Sequence, residues 1–304
     1  MTKAFIFPGQ GSQYVGMGSD LYNILENAKL RYTSAADILG YNLAEISFQG
    51  PEKKLRETQF AQPAIFVHSI IINDYLKENG IFPNAVAGHS LGEFSALVSA
   101  EILSFEDALK IIKVRSQEMS QAAKINPGKM AAIIGANEEQ LKIICTQKGV
   151  VVPANLNAIG QVVISGEIDA VNNALSTAKG LGIRRIVPLN VSGAFHSPLM
   201  APAREPLQKI INSVSFHRGT VPIYQNVVAE PVTDIEKIKK NILNQLEKPV
   251  LWINIIRQII QNGMINFFEI GPGNILSGLN RRITKETNTY NFDKMEHLNG
   301  YAML

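Results

Sequence analysis

A serine between two glycines is the feature of this sequence that most directly indicates chemistry. Residues 86–93 read VAGHSLGE, so Ser90 lies between Gly88 and Gly92, where an apolar strand-like run passes into a helical pattern. A sharp strand-to-helix turn crowds its central residue, and flanking glycines relieve that crowding because they have no Cβ. The N–H groups that open the helix can then stabilise negative charge beside the serine oxygen. The pattern predicts a nucleophile elbow.

A serine hydroxyl is a poor nucleophile at neutral pH, so it needs a base to accept its proton. The five histidines of the chain are the candidates: His68, His89, His196, His217 and His297. The apolar surroundings of His68 indicate a packing side chain, and His217 and His297 are interpreted as loop or tail positions. His89 should point away from its neighbour on an extended strand end. His196 remains as the candidate base, although sequence separation gives no distance and a structural role for it stays open.

The elements that must position these residues follow an α/β pattern. Short β-rich runs alternate with longer helical patterns, which favours a parallel sheet. Ser104 with Asp107 three positions later indicates a helix start, so Arg115 should lie about three turns into that helix. A strand before the Gly-x-Ser-x-Gly string and a helix after it favour the functional interpretation over chance occurrence.

A second pattern interrupts the first. Residues 127–191 read strand, helix, strand, strand, helix, strand, an order typical of a ferredoxin-like unit. We therefore expect a small inserted domain at 127–191 within a discontinuous catalytic domain of residues 1–126 and 192–304. After the insertion the pattern predicts a helix over 198–213, a strand at VPIYQN, helices around 236–262 and a strand at INFFEIGPG.

Composition limits the class of protein. The chain has 304 residues, 46% hydrophobic and 18% charged, with a net charge of +3; this excludes disorder and gives no indication of nucleic acid binding. We expect no export signal, no membrane span and a cytoplasmic location, because no apolar run has the necessary length or flanks. The single cysteine, Cys145, is interpreted as a packing residue.

Eight features in order resemble one enzyme family. Besides the inserted ferredoxin-like pattern they are FPGQGSQYVGMG, GHSLGE, RSQEM, ANLNAIGQVVISG, GAFHSPLM, QLEKPVLW and FFEIGPG. The sequence resembles, over nearly its whole length, the malonyl-CoA:acyl-carrier-protein transacylases, acyltransferases that load fatty-acid and polyketide synthases. The resemblance implies an α/β-hydrolase-like large domain with a parallel sheet and nucleophile elbow.

The resemblance also implies a role for each matching residue in acyl transfer. Ser90 would carry the acyl group, and His196 would accept the serine proton and later protonate the leaving thiol. The backbone N–H groups of Gln10 and Leu91 would form the oxyanion hole. Taken alone, the stretch around Gln10 is more typical of an ordinary glycine turn.

Three further residues match positions that bind the acyl group or orient the base. Arg115 would grip the free carboxylate of a malonyl group with its planar fork, although an isolated helix arginine is usually a solvated side chain. The backbone carbonyl at Gln245 would orient the histidine in place of an aspartate. Phe195 would fill the space that a methyl branch needs; its alternative role is simple packing.

The implied reaction is a two-step exchange between thioesters. Coenzyme A delivers malonyl, an acyl carrier protein removes it on its own phosphopantetheine, and no metal or permanently bound cofactor is expected. We expect a monomer without nucleic acid or membrane partners. Two alternatives remain: an α/β-hydrolase-type esterase or thioesterase in which water completes the reaction, and a non-catalytic module that only docks carrier protein.

Overall fold

The computed structural model describes residues 2–302 as helices packed around two β-sheets. Within this part of the chain the strands are β1 Lys3–Phe7, β2 Ala85–Gly88, β3 Gly128–Ile134, β4 Val151–Ala158, β5 Gln161–Glu167, β6 Arg185–Pro188, β7 Ile223–Tyr224, β8 Pro231–Val232, β9 Asn266–Ile270 and β10 Asn288–Phe292. The helices are α1 Ser19–Ile24, α2 Glu26–Leu39, α3 Leu43–Gln49, α4 Glu52–Leu55, α5 Thr58–Glu78, α6 Gly92–Ser99, α7 Phe105–Ile125, α8 Glu138–Ile144, α9 Ile168–Gly180, α10 Arg204–Ser213, α11 Ile235–Asn244, α12 Trp252–Gln261, α13 Ile275–Ile283 and α14 Met295–Ala302, with a 3₁₀ helix at Pro198–Ala203. None of the described helices combines the length and the apolar character needed to cross a bilayer.

The larger sheet has the strand order β10-β9-β1-β2-β7-β8. All its pairs are parallel except β7 with β8. Alternate residues of β1 enter different cores: Phe5 and Phe7 pack with α5 and α7, whereas Ala4 and Ile6 pack with α12 and α13. Both faces of the sheet are therefore covered, as expected for parallel strands. The predicted α/β class with a parallel sheet is confirmed.

The register of the central strands sets the place of the site. Phe7 at the end of β1 pairs with Gly88 at the end of β2. The loop after β1 and the turn after β2 consequently emerge side by side at the carboxyl edge of the sheet. This edge is where open α/β sheets bind their ligands.

The smaller sheet is antiparallel and has the order β4-β5-β3-β6. Ala131 and Ile133 of β3 pack with α8 and α9, while Met130 and Ala132 on the opposite face join the core of the larger part. A bridge between Asn155 and Val250 also connects the two parts. The small sheet is thus fixed against the edge from which the site opens.

Three elements differ from the sequence-based expectation. The predicted helix over 198–213 begins as a 3₁₀ turn, Pro198–Ala203, and Pro202 within it has no N–H to donate to a helical hydrogen bond. The strand predicted at VPIYQN is only two residues long, and the edge strand β10 was not predicted. His297, interpreted as a loop or tail residue, lies in α14.

Candidate active site

The turn after β2 holds Ser90 in a strained conformation. Ser90 has φ +52°, whereas β2 ends at Gly88 and α6 begins at Gly92. A Cβ at Gly88 would overlap the Gly92 carbonyl carbon, and a Cβ at Gly92 would overlap the Phe7 carbonyl oxygen. The two glycines are therefore required by close backbone approach, and the turn presents Ser90 at a cavity.

His196 lies against the serine. Its Nε2 is 2.9 Å from Ser90 Oγ, and its Nδ1 donates to the Gln245 backbone carbonyl oxygen over 2.7 Å. That second bond places the ring proton on Nδ1 and leaves Nε2 as an acceptor. Burial, followed by the nearby Arg115 charge, lowers the pKa of His196 to about 3. The imidazole is consequently neutral near pH 7 and able to accept the serine proton.

Arg115 is the third group at the serine oxygen. Ser104 caps the start of helix α7, where its side chain accepts from the Asp107 N–H over 3.0 Å, so Arg115 lies three turns into the helix, as the sequence predicts. The side chain is fully buried, and its Nη2 donates to Ser90 Oγ over 3.1 Å. Burial lowers the pKa of Arg115 to about 10, with the Glu93 carboxylate opposing the shift. The guanidinium remains charged at neutral pH.

Two glutamines hold the arginine fork. Arg115 Nη1 donates to Gln62 Oε1 over 2.7 Å, and Nη2 donates to Gln245 Oε1 over 2.8 Å. Its buried Nε has no acceptor among residues 2–302. Neutral amide oxygens satisfy these donors without neutralising the charge, so the guanidinium keeps its positive charge beside the serine oxygen.

Gln10 and Leu91 flank the serine from two elements. Gln10 follows β1 and is anchored by its side chain, since Nε2 donates to Thr58 Oγ1 over 3.1 Å. Leu91 immediately precedes α6 and is buried. Within the described chain neither backbone N–H donates a hydrogen bond. Two free amides beside a nucleophile are suited to an oxyanion hole.

A cavity of about 270 Å³ opens at Ser90 and His196, with the fully buried Arg115 behind the serine oxygen. It is lined from the larger part by Gln10, Ser90 and His196, and from the smaller sheet by Met130 and Asn155. The site therefore lies between the two sheets. Phe195, buried with 6% of its surface exposed, also lines this cavity directly before the histidine.

A buried polar network behind the serine was not foreseen from the sequence. Glu93 is fully buried and accepts from Gln225 Nε2, the Asn226 N–H and Gln245 Nε2 over 2.9, 2.9 and 3.0 Å. Burial raises the pKa of Glu93 to about 7, although these donors act against the rise. Its position inside GHSLGE was the available signal; Asn226 gave none because it lies in the turn after β7, far from Ser90 in the sequence.

The other histidines lie in different environments. His89 lines the cavity, but its Nε2 is 2.9 Å from Asn157 Oδ1. His68 is fully buried with its Nε2 3.1 Å from Asp293 Oδ1, so it has a carboxylate neighbour as well as apolar ones. His217 and His297 are not among the cavity residues. In residues 2–302, no three His, Cys, Asp or Glu side chains are grouped to hold a metal.

Comparisons with known proteins give consistent matches. The acyl transferase domain model matches residues 4–292. A malonyl CoA-acyl carrier protein transacylase of Staphylococcus aureus (strain MRSA252) is 41% identical, covering 99% of each chain. The crystal structure of an acyl carrier protein S-malonyltransferase from Vibrio cholerae O1 biovar eltor is 38% identical with a TM-score of 0.95, covering 99% of this chain and 100% of that one. A malonyl-transacylase in complex with its type II polyketide acyl-carrier protein is 36% identical with a TM-score of 0.95, covering 98% of each.

Proposed function

Because the chain belongs to the acyl transferase family and, within it, to the malonyl-CoA:acyl-carrier-protein transacylases, we propose that Ser90 carries the malonyl group between two thiols. The protein is an acyltransferase that transfers malonyl to acyl carrier protein, a step in fatty-acid or polyketide synthesis. One observation carries the residue assignment: a neutral imidazole and a buried guanidinium both lie within hydrogen-bond distance of Ser90 Oγ, at 2.9 and 3.1 Å.

The first half-reaction forms a malonyl-serine ester. Ser90 Oγ attacks the thioester carbonyl carbon of malonyl-CoA while its proton passes to His196 Nε2. The tetrahedral oxyanion accepts from the Gln10 and Leu91 N–H groups. Collapse of this intermediate breaks the carbon–sulfur bond, and the imidazolium protonates the departing coenzyme A thiolate.

The second half-reaction is the reverse with a different thiol. His196 takes the proton of the carrier protein's phosphopantetheine thiol, the thiolate attacks the ester carbonyl, and Ser90 leaves with the proton that the imidazolium returns. Both ends of the exchange are thioesters, so the exchange needs no energy input. On this basis we propose that no metal or permanently bound cofactor takes part.

Arg115 selects the acyl group in this proposal. A malonyl ester on Ser90 places a free carboxylate close to the guanidinium, whose fork donates two parallel hydrogen bonds to such a group. The buried Nε that lacks an acceptor in the described chain supports this role. An acetyl group has no carboxylate to offer. Phe195, which lines the cavity beside His196, would exclude a methyl branch at the malonyl carbon.

Gln245 would orient the base through its backbone. The 2.7 Å bond from His196 Nδ1 to the Gln245 carbonyl supports this role, since it fixes the tautomer without a buried aspartate. The Gln245 side chain also accepts from Arg115, so one residue contacts both the base and the selecting arginine.

We also propose a finer description of the fold and of the protein's working state. The larger part, residues 1–126 and 192–304, would be an α/β-hydrolase-like domain, as the elbow at the carboxyl edge of β2 suggests. The inserted residues 127–191 would be ferredoxin-like, which the β4-β5-β3-β6 order supports. The enzyme would act as a cytoplasmic monomer on a coenzyme A thioester.

The proposal is tested by measuring how much malonyl is transferred to carrier protein and how much is hydrolysed. The protein is incubated with malonyl-CoA in the presence and absence of phosphopantetheine-bearing acyl carrier protein, and the fates of malonyl are quantified. We expect malonyl-carrier protein as the main product and slow hydrolysis without carrier. Rapid hydrolysis in both samples would instead indicate a thioesterase.

A further inference from the structure

The turn that carries Ser90 needs support from outside itself. Ser90 has φ +52°, a region that side chains other than glycine rarely adopt, and the next residue already has helical φ and ψ. Such a conformation persists only where the surrounding structure holds it. The small displacement of a nucleophile that a relaxed turn would allow is enough to slow a reaction greatly.

Asn226 contacts the turn on both sides of the strained residue. Its Nδ2 donates to the Gly88 carbonyl oxygen over 2.6 Å, and its Oδ1 accepts from the Ser90 N–H over 2.7 Å. Asn226 follows β7, the strand beside β2, where the backbone ladder between the two strands has ended. One side-chain amide thus continues the ladder where β2 becomes the turn, because it offers both a donor and an acceptor.

Asn226 is itself held by buried groups. It is fully buried, and its backbone N–H donates to Glu93 Oε2 over 2.9 Å. Gln245 Nε2 donates to the same carboxylate oxygen over 3.0 Å and approaches Asn226 Oδ1 at 3.3 Å. Gln245 is also the residue whose carbonyl accepts from His196. The serine turn and the base are therefore fixed to one hydrogen-bonded network.

We infer that Asn226 is a positioning residue that clamps the nucleophile turn, aiming Ser90 Oγ at His196 and the Leu91 N–H at the reacting oxygen. This inference rests on the proposed function and deepens it. Asn226 makes no contact with the substrate in this role. Its loss should therefore lower the rate of acyl-serine formation more than it weakens binding of malonyl-CoA.

Single-turnover loading separates these effects. Wild-type protein and Asn226→Ala are mixed with malonyl-CoA, and malonyl-serine formation is followed across substrate concentrations. We expect the saturating rate to fall about 100-fold with little change in the half-saturating concentration. The matched control is Asn73→Ala, which removes another buried amide, one that accepts from Ser99 Oγ over 2.6 Å, and should leave the loading rate essentially unchanged.

The substitution Asn226→Asp provides a second readout that a general loss of stability would not move. When protonated, the introduced carboxyl can donate to the Gly88 carbonyl and accept from the Ser90 N–H; when ionised, it has no donor. The rate relative to wild type at the same pH should fall at least about tenfold as pH rises through the introduced group's titration. Glu93, Arg115 and His196 are the other titratable groups of this network, and the wild-type reference removes their own titration but not their coupling to the introduced carboxyl.

Each result of these loading experiments either supports or overturns the role of Asn226. A wild-type chain that forms no malonyl-serine overturns the proposed function and this inference with it. A wild-type chain that loads, beside an Asn226→Ala variant that loads equally fast or is slowed no more than Asn73→Ala, overturns the role of Asn226 alone. If Asn226→Ala does not fold, Asn226→Asp decides: a pH-independent ratio to wild type contradicts the clamp, and a falling ratio supports it.

Discussion

Two buried histidines in this protein have opposite surroundings. His68 has the partner expected of a catalytic histidine, a carboxylate, with Nε2 3.1 Å from Asp293 Oδ1. His196 has a backbone carbonyl at Nδ1 in place of a carboxylate, yet its other nitrogen lies 2.9 Å from a serine oxygen at the cavity. A histidine–carboxylate pair therefore does not identify the base here. The position of a nucleophile does.

The backbone differs between the two regions as well. His68 lies within the regular helix α5, whereas Ser90 and His196 both have positive φ, at +52° and +59°. Asp293 is held by the Tyr14 hydroxyl and the Gly273 N–H, which together with His68 lower its pKa although burial alone would raise it. The His68 region has regular helical backbone, whereas Ser90 and His196, two of the four non-glycine residues with positive φ in residues 2–302, lie where we propose that chemistry occurs.

The largest expected effect concerns the strained turn. Gly92→Val should abolish malonyl loading, because a side chain there overlaps the Phe7 carbonyl. The control is Gly278→Ala in α13, where an added Cβ meets nothing within 4 Å; it should retain loading and gain about 0.5–1 kcal/mol of stability. Intact-mass measurement of loading and thermal unfolding check both. An undiminished rate in Gly92→Val would contradict the elbow geometry.

The two histidines can be exchanged for glutamine in parallel. His196→Gln should slow loading by roughly 100- to 10,000-fold, because the serine loses its base. His68→Gln should retain most of the rate and lose about 1–3 kcal/mol of unfolding free energy, because the buried Asp293 carboxylate loses the ring nitrogen beside it. Loading kinetics and denaturant unfolding measure the two effects. Equal rate losses in both variants would remove the distinction between the regions.

Arg115→Ala tests acyl selection at the site. Malonyl loading should fall about 100-fold, while acetyl loading should rise relative to it because acetyl has no carboxylate to leave unpaired. Lys110→Ala is the control on the same helix, since Lys110 only pairs with Asp107 at the surface. Competition between malonyl-CoA and acetyl-CoA gives the ratio. An equal loss of both acyl groups would contradict a role in carboxylate binding.

The smallest expected effect is in the pH profile. An ordinary histidine base loses activity as it protonates below about pH 6.5. Because burial lowers the pKa of His196 to about 3, that loss should not appear between about pH 5 and neutrality. Burial lowers the pKa of Arg115 to about 10, which still leaves the guanidinium charged across this range, so Arg115 should add no step of its own.

Glu93 is a second group whose titration could produce a step in the pH profile. Burial raises its pKa to about 7, so any step near neutral pH should belong to this carboxyl and be lost in Glu93→Gln. A step near pH 6.5 that persists in Glu93→Gln would mean that His196 titrates as a solvated histidine does.

Local patterns predicted the features that depend on neighbouring residues. The glycines around Ser90 and the Ser104 cap of α7 could be identified because their causes lie within a few positions in the sequence. The assignments of Arg115, Gln10 and Gln245 came from the family resemblance, since an arginine, a turn amide and a carbonyl have no distinctive local pattern.

Features that depend on tertiary contacts were missed for a physical reason. The burial of Glu93 and the bond from the Ser90 N–H to Asn226 arise because β7 lies beside β2, which no local period encodes. Strands of two residues such as β7 and β8 are too short to show alternation. The 3₁₀ segment at the start of the predicted 198–213 helix contains Pro198 and Pro202, and Pro202 is the local signal for this departure.

The most direct test of the account is to locate the acyl group. The protein is exposed briefly to malonyl-CoA, quenched and mapped by peptide mass, and a parallel sample is chased with phosphopantetheine-bearing carrier protein. We predict one malonyl ester, on Ser90, that disappears in the chase as malonyl-carrier protein appears, and no adduct in Ser90→Ala. Transfer to carrier protein by Ser90→Ala at the wild-type rate, or an acyl group on another residue, would contradict the account.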